Sequence, residues 1–365
     1  MKIIINQKTL AAKIGIAQRA VSSKTTVDLL KGLLLIAKND QLKIKSSDSE
    51  IGIETYTQAD VQQEGSIVVD SRLFGDIIRK LPDSLVELET DVDNNIYIYC
   101  VNSKFKIKGY SSNDFPILPE VDDATLCDLP QELLKNMIKQ TVFAIAQDSA
   151  KPLLTGELLE ISDQKINLVA VDGYRLAVRS AKFAQEGINA KVIIPGKTLV
   201  DVNSLLDGEE NVRLGFNNKN AVFIIGETKI TTRLLEGEFM NYKNLLPKEY
   251  NTKINLNTRD LLNSIERASL LSQTDKNNLI KFSIRDEIMA ITSNTDVGNV
   301  YEEVAISLEG DYLDIAFNSR YLLEGVKNID SEFVDIEFTK NINPCILKPS
   351  NDTDYTYLLL PVRLS

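Results

Sequence analysis

The chain has 365 residues, 43% of them hydrophobic and 25% charged, which is enough apolar material for packed cores and fits roughly two to four domains. It contains no histidine, which excludes histidine-dependent triads, histidine metal sites and the commonest general base. A formal net charge of −11 argues against a simple basic nucleic-acid binder. Cys100, Cys127 and Cys345 are far apart and odd in number, so neither a disulfide framework nor a CxxC metal knuckle is available. Each is read as a buried, apolar-like side chain. The longest apolar runs, "LLLIA" from Leu33 and "LLLPV" from Leu358, fall far short of the ~20 residues of a membrane span. The start "MKIIINQKTL" lacks a signal-peptide pattern, so a cytoplasmic protein without a membrane partner is expected. The acidic residues are scattered, and no catalytic pair, metal site or cofactor is expected.

The elements come in three rounds. Each opens with a short strand and an amphipathic helix: "MKIIINQKTLAAKIGIAQRAV" from Met1, "TLCDLPQELLKNMIKQTVFAIA" from Thr125 and "TKINLNTRDLLNSIERASLLS" from Thr252. The helices are expected over 7–24, 131–147 and 258–272. Next come alternating strands joined by polar turns: "GLLLIAKNDQLKIKSSDSEIGIETYT" from Gly32, "GELLEISDQKINLVAVDGYRLAVRSA" from Gly156 and "NLIKFSIRDEIMAITSNTDVGNVYEEVAI" from Asn278. A strand, a turn and a second helix follow, over 71–80, 196–206 and 319–328. Asp70, Pro195 and Asn318 occupy the same point of each round, 125 and 123 residues apart. More strands close each round, such as "VELETDVDNNIYIYCVNSKFKIKGY".

A near-constant period of this size implies three copies of one domain-sized unit. The expected fold is α+β, with two helices packed on antiparallel sheet in each copy. The linkers fall at 111–123 and 237–250, giving domains 1–120, 121–247 and 248–365. The six helices carry 14 basic residues against six acidic ones, so the strands and loops hold the acidic excess. Facing one way, such helices would present a positive surface to a phosphate backbone, without base readout. Acidic strands that merely keep the protein soluble would give the same count.

Within the second round, "LVAVDGYRLAVRS" places Asp172, Tyr174 and Arg175 around Gly173 in an apolar run. Asp-Gly is first a hairpin turn, in which glycine supplies a positive φ. No catalytic partner stands nearby.

These motifs together resemble the bacterial sliding clamps, the beta subunit of the DNA polymerase III holoenzyme, over the whole chain. "LVAVDGYRLAVRS" is similar to the family's Asp-Gly-(His/Tyr)-Arg-Leu-Ala hairpin. "EGEFMNYKNLLPK" is similar to its linker, and "YLLLPVRLS" to its C-terminal apolar-Pro-hydrophobic-Arg-Leu ending. The resemblance implies a non-catalytic protein: a head-to-tail homodimer closing into a six-domain ring around double-stranded DNA, with helices inside and sheets outside. It implies tethering of the replicative polymerase alpha subunit, the clamp loader, other polymerases and mismatch-repair proteins through short peptides.

Carried over by motif, the peptide pocket would use Leu154, Gly173, Tyr174, Arg175, Leu176, Met240, Leu245, Pro344, Leu358, Leu360, Pro361, Val362, Arg363 and Leu364. Apolar side chains would form it, and a few polar groups would fix the peptide's direction. Pro361 cannot donate to a ladder, so it is expected to end the last strand and leave 362–364 outside it. DNA contacts would come from Lys24, Arg72, Arg79, Lys135, Lys139, Lys151 and Lys197. The dimer would use Ile77, Lys104, Phe105, Leu270 and Leu271, for which an intradomain core position is the alternative. Departures from the family pattern are Val171, Met240, Asn244, Asp28 and the terminal Ser365. A carboxylate-based hydrolase, or a repeat scaffold for a ligand other than nucleic acid, is the competing functional reading.

Overall fold

The computed structural model describes residues 1–22, 25, 27–116, 126–148, 150–185, 187–208, 210–274 and 278–363. Among them are six α-helices: α1 Gln7–Ala17, α2 Ser71–Lys80, α3 Gln131–Thr141, α4 Gly196–Asn203, α5 Thr258–Ser272 and α6 Ser319–Val326. None of the helices is long and apolar enough to cross a membrane. Every strand pairing described is antiparallel.

The helices start where side chains cap them. Asn6 accepts hydrogen bonds from the Lys8 and Thr9 amides, Asp70 from Leu73, and Asn257 from Arg259 and Asp260. In the second round Pro130 and Pro195 stand in the capping positions instead. Four helices are shorter than their apolar periodicity predicts. The helix expected over 7–24 stops at Ala17 and tightens into a 3-10 turn, Gln18–Ala20; the buried Ser46 hydroxyl takes the Ala17 carbonyl at 2.6 Å. The helix expected over 131–147 stops at Thr141 and continues as Val142–Ala144. The second helices of the later rounds end at Asn203 and Val326.

The polar turns of the alternating segments are two-residue hairpins. Asn39 and Asp40 both have positive φ between Lys38 and Gln41, as do Asp163 and Gln164 between Ser162 and Lys165. Side-chain alternation then sets the register. Ile3 and Ile5 point inward opposite Leu88 and Val86, where α1 adds Leu10, Ile14 and Ala17 and α2 adds Phe74 and Ile78.

The chain packs as two compact units, Met1–Leu134 with Lys197–Leu234, and Lys135–Gly196 with Leu235–Ser365. The second round is thus divided between them, because each half of it shares a sheet with a neighbouring round. In the first unit an eight-stranded sheet is fused by Thr228–Arg233 pairing with Ile51–Gln58, at Thr228↔Thr55, Ile230↔Ile53 and Thr232↔Ile51. In the second unit a nine-stranded sheet is fused by Arg175–Lys182 pairing with Tyr355–Leu359. Each unit also holds a smaller sheet, one of five strands and one of four.

Candidate functional site

The hairpin between Lys165–Val171 and Arg175–Lys182 has Gly173 and Tyr174 as its two central residues, and Val171 pairs with Leu176 below them. Gly173 has φ +97, which suits the hairpin turn that takes glycine at its first central position. Asp172 ties the turn down: its Oδ1 accepts from the Tyr174 and Arg175 amides at 2.8 and 3.0 Å. Its Oδ2 accepts from Arg175 Nε at 3.0 Å. Tyr174 is left 60% exposed.

Strand Tyr355–Leu359 runs beside this hairpin, with Arg175↔Leu359 and Leu176↔Leu358 in register. The Leu360 amide donates to the Tyr174 carbonyl at 2.9 Å, one step beyond the strand. From the linker, buried Phe239 and Tyr242 anchor the segment that carries Met240 and Leu245. The Tyr242 hydroxyl donates to Glu160 at 3.0 Å. Burial pushes that phenol, held by the carboxylate, well above its ordinary range. The result is an apolar cavity of about 150 Å³, lined by Val171, Gly173, Tyr174, Arg175, Leu176, Met240, Leu245, Pro344, Leu358 and Leu360. Such a volume is below the few hundred Å³ usual for a pocket that encloses a whole small ligand.

Nine of these ten residues are among those singled out by motif; Val171 is the one sequence reasoning left out of the site. Its only signal was its departure from the family's usual hydroxyl residue. Leu154 does not line the cavity but packs, half-buried, against the apolar cluster beneath it. Pro361, Val362 and Arg363 are also absent from the lining. The last strand stops at Leu359, two residues before Pro361. Val362 is outside it, as expected, but is not loose, since its amide donates to the Ala316 carbonyl at 2.8 Å. Leu364 lies outside the described residues.

Arg175 lines the cavity with its charge already paired. It is 4% exposed, and its guanidinium is fully engaged: with Asp172, with the Phe143 carbonyl at 2.5 Å, and with Glu324. It also lies 4.5 Å from the Tyr321 ring centroid. It therefore builds the wall rather than offering a free charge to a ligand.

The first unit contains a natural comparison. Asp48 makes the same turn, accepting from Glu50 and Ile51 at 3.0 and 2.9 Å, and the Arg233 amide donates to Glu50 as Leu360 does to Tyr174. There Gly52 pairs with Thr231 where the second unit pairs Leu176 with Leu358. The backbone is repeated, and the apolar side chains are not.

The basic helices are less bare than the charge count suggests. Lys24 lies outside the described residues. Of the other helix cations, Lys8, Lys13, Arg19, Arg79, Lys139, Lys197, Arg267, Arg320 and Lys327 each pair with a carboxylate. Where both partners are exposed, such pairs are weak. Arg72, Lys135 and the loop residue Lys151 are exposed and have no ion pair among the described residues. Lys197 pairs with Asp48 at 3.1 Å and Lys139 with Asp330 at 3.2 Å.

Two edge strands carry the remaining candidates. Ser103–Lys108 ends the five-stranded sheet, with Lys104, Lys106 and Lys108 exposed and Phe105 40% exposed. Gly298–Ala305 ends the four-stranded sheet and carries Glu302 and Glu303; beside it, Leu271 is half-buried and Leu270 is 72% exposed on α5. Ile77 packs partly into its own domain's core.

Three repeated βα rounds with fused antiparallel sheets, and an apolar cavity beside the Asp172 hairpin, define a clamp-type protein. Comparison with known proteins makes this specific. The N-terminal, central and C-terminal domains of the DNA polymerase III beta subunit match residues 1–119, 128–241 and 243–363. The chain is 36% identical to the beta sliding clamp of Staphylococcus epidermidis, over 100% of this chain and 99% of that one. The DNA polymerase sliding clamp of Bacillus subtilis superposes with a TM-score of 0.97 at 32% identity, covering 100% of both chains. A DNA polymerase III beta subunit from Eubacterium rectale does so at 0.95 and 34%, covering 99% of each. The chain belongs to the DNA polymerase III beta subunit family and acts as a processivity clamp, not as a catalyst.

Proposed function

We propose that two copies join head to tail, close into a six-domain ring around duplex DNA, and tether partner proteins through the cavity beside the Asp172 hairpin. The observation that carries the docking role is that cavity: apolar, open, and built by side chains that the equivalent turn of the first unit lacks. Its occupants are short apolar-anchored peptides of the replicative polymerase alpha subunit, the clamp loader, other polymerases and mismatch-repair proteins. Leu154 supports the floor, and Pro361, Val362 and Arg363 extend the rim. In this reading the domains are 1–120, 121–247 and 248–365, and the protein works in the cytoplasm.

Dimerisation is supported by the edge strands. Ser103–Lys108 is basic with an exposed Phe105; Gly298–Ala305 is acidic beside an exposed Leu270. Such complementary edges of opposite charge suit a heterologous contact between copies, and a heterologous contact makes a ring when the rotation closes. DNA would be held by backbone attraction alone, from Lys24, Arg72, Arg79, Lys135, Lys139, Lys151 and Lys197. Retention by topology needs little affinity, so an acidic chain is no obstacle.

The test loads the protein on a nicked circle with a clamp loader and then linearises the DNA. The ring slides off the ends. Retention on the linear form, or a failure to load, would sink the proposal.

A further inference from the structure

The turn that walls the cavity is held from behind by a side chain of the following round. Glu324 sits on α6 and does not line the cavity. Its carboxylate bridges two arginines: Arg175 Nη1 donates to Oε2, and Arg320 Nε donates to Oε1 at 2.9 Å. Arg175 is buried and Arg320 is exposed, with side-chain exposures of 4% and 65%. Arg175 in turn holds Asp172, whose other oxygen holds the Tyr174 and Arg175 amides.

We propose that Glu324 is a positioning residue for the peptide pocket: it fixes the Arg175 guanidinium, and through it the Asp172 turn and the Tyr174 wall, without touching the peptide. This rests on the reading of the cavity as the peptide site. The physical reason is asymmetric burial. A buried guanidinium that loses one of its two carboxylate partners has its charge less compensated, and its hold on the Asp172 turn loosens. Losing Arg320 instead removes only a solvent-exposed pair. The first unit supports the assignment by contrast. Ile51 stands where Arg175 does, and Asp201, the counterpart of Glu324, pairs with Arg19 instead. The device occurs where the apolar cavity occurs.

The experiment uses the full chain and a fluorescein-labelled peptide with adjacent Leu and Phe residues. Glu324→Gln is expected to weaken binding about five- to tenfold, mainly through faster dissociation. Arg320→Ala should stay within about twofold, and Leu358→Ala serves as the pocket control. A spectroscopic readout separates positioning from general destabilisation. The chain has no tryptophan, so Tyr174→Trp gives a single reporter on the turn. Glu324→Gln should lower its anisotropy well below the melting temperature. If Glu324→Gln leaves the dissociation constant unchanged while Leu358→Ala raises it, the positioning role is overturned and the pocket stands. If neither changes binding, the pocket reading falls and the proposal with it. Should the glutamine variant not fold, Glu324→Asp keeps the charge on a shorter stem and is judged by the same two outcomes.

Discussion

Glu157 has no exposure at all, and among the described residues its one hydrogen bond is from the Thr141 hydroxyl at 2.6 Å, while its second oxygen has no partner. Burial raises its pKa from 4.5 to about 8, so the folded protein holds this acid protonated near neutrality. The folded chain keeps the proton where the unfolded chain has released it. Stability from this group is therefore complete below about pH 4.5, falls as pH rises through 8, and is lost above that. The slope is roughly a kcal/mol per pH unit in that window. Glu157→Gln, which mimics the neutral acid, is expected to flatten it; denaturant melts of both proteins between pH 5 and 9 would show this. Gly173 gives a second residue-scale prediction. An added Cβ meets nothing within 4 Å, so Gly173→Ala pays only for φ +97. A loss of about 1–2 kcal/mol in chemical denaturation is expected. The glycine was legible in sequence as a turn. The buried state of Glu157 was not, because nothing in "GELLEIS" marks which face of that strand is covered.

At the scale of elements, periodicity located all six helices, and α2 and α5 end where it says they should. It overran at α1 and α3 because apolar spacing continues into the 3-10 turns, which are packed just as the helices are. At the end of α1 the Ala17 carbonyl is taken by Ser46 of the strand Gln41–Ser47, and no local signal reports that. Starts were more local. Asn257→Ala removes the acceptor for two amides of α5 and should cost about 1 kcal/mol of stability, while Asn257→Asp restores it. Comparison of the two denaturation midpoints checks the cap directly. The repeated Asp turns make the same point for the site. Asp48 and Asp172 give one backbone geometry, so the turn does not create the cavity; Leu176 and Leu358 do.

For the whole molecule, the assembly prediction follows from the edge strands. Replacing Lys104 and Lys106 by Glu should repel Glu302 and Glu303 of a second copy and turn a dimer into a monomer. Light scattering at micromolar concentration reads the mass. Restoring the dimer by Glu302→Lys with Glu303→Lys in the same chain would identify the partner edge; a charge-reversed protein that stays dimeric would place the contact elsewhere.

The sequence by itself determined the threefold repeat, the α+β class, the turn at Gly173 and the absence of histidine chemistry. These depend on period, composition and local backbone preference, which are properties of neighbours in the chain. The motif resemblance also named nine of the ten cavity-lining residues. Only the tertiary structure decided that the rounds share sheets, that Arg175 is consumed by Asp172, Phe143 and Glu324, and that most helix cations are paired. The shared sheets, the Arg175–Glu324 contact and most of the helix-cation pairs depend on which partner arrives from a distant segment, and a partner some 150 residues away leaves no local trace in the chain.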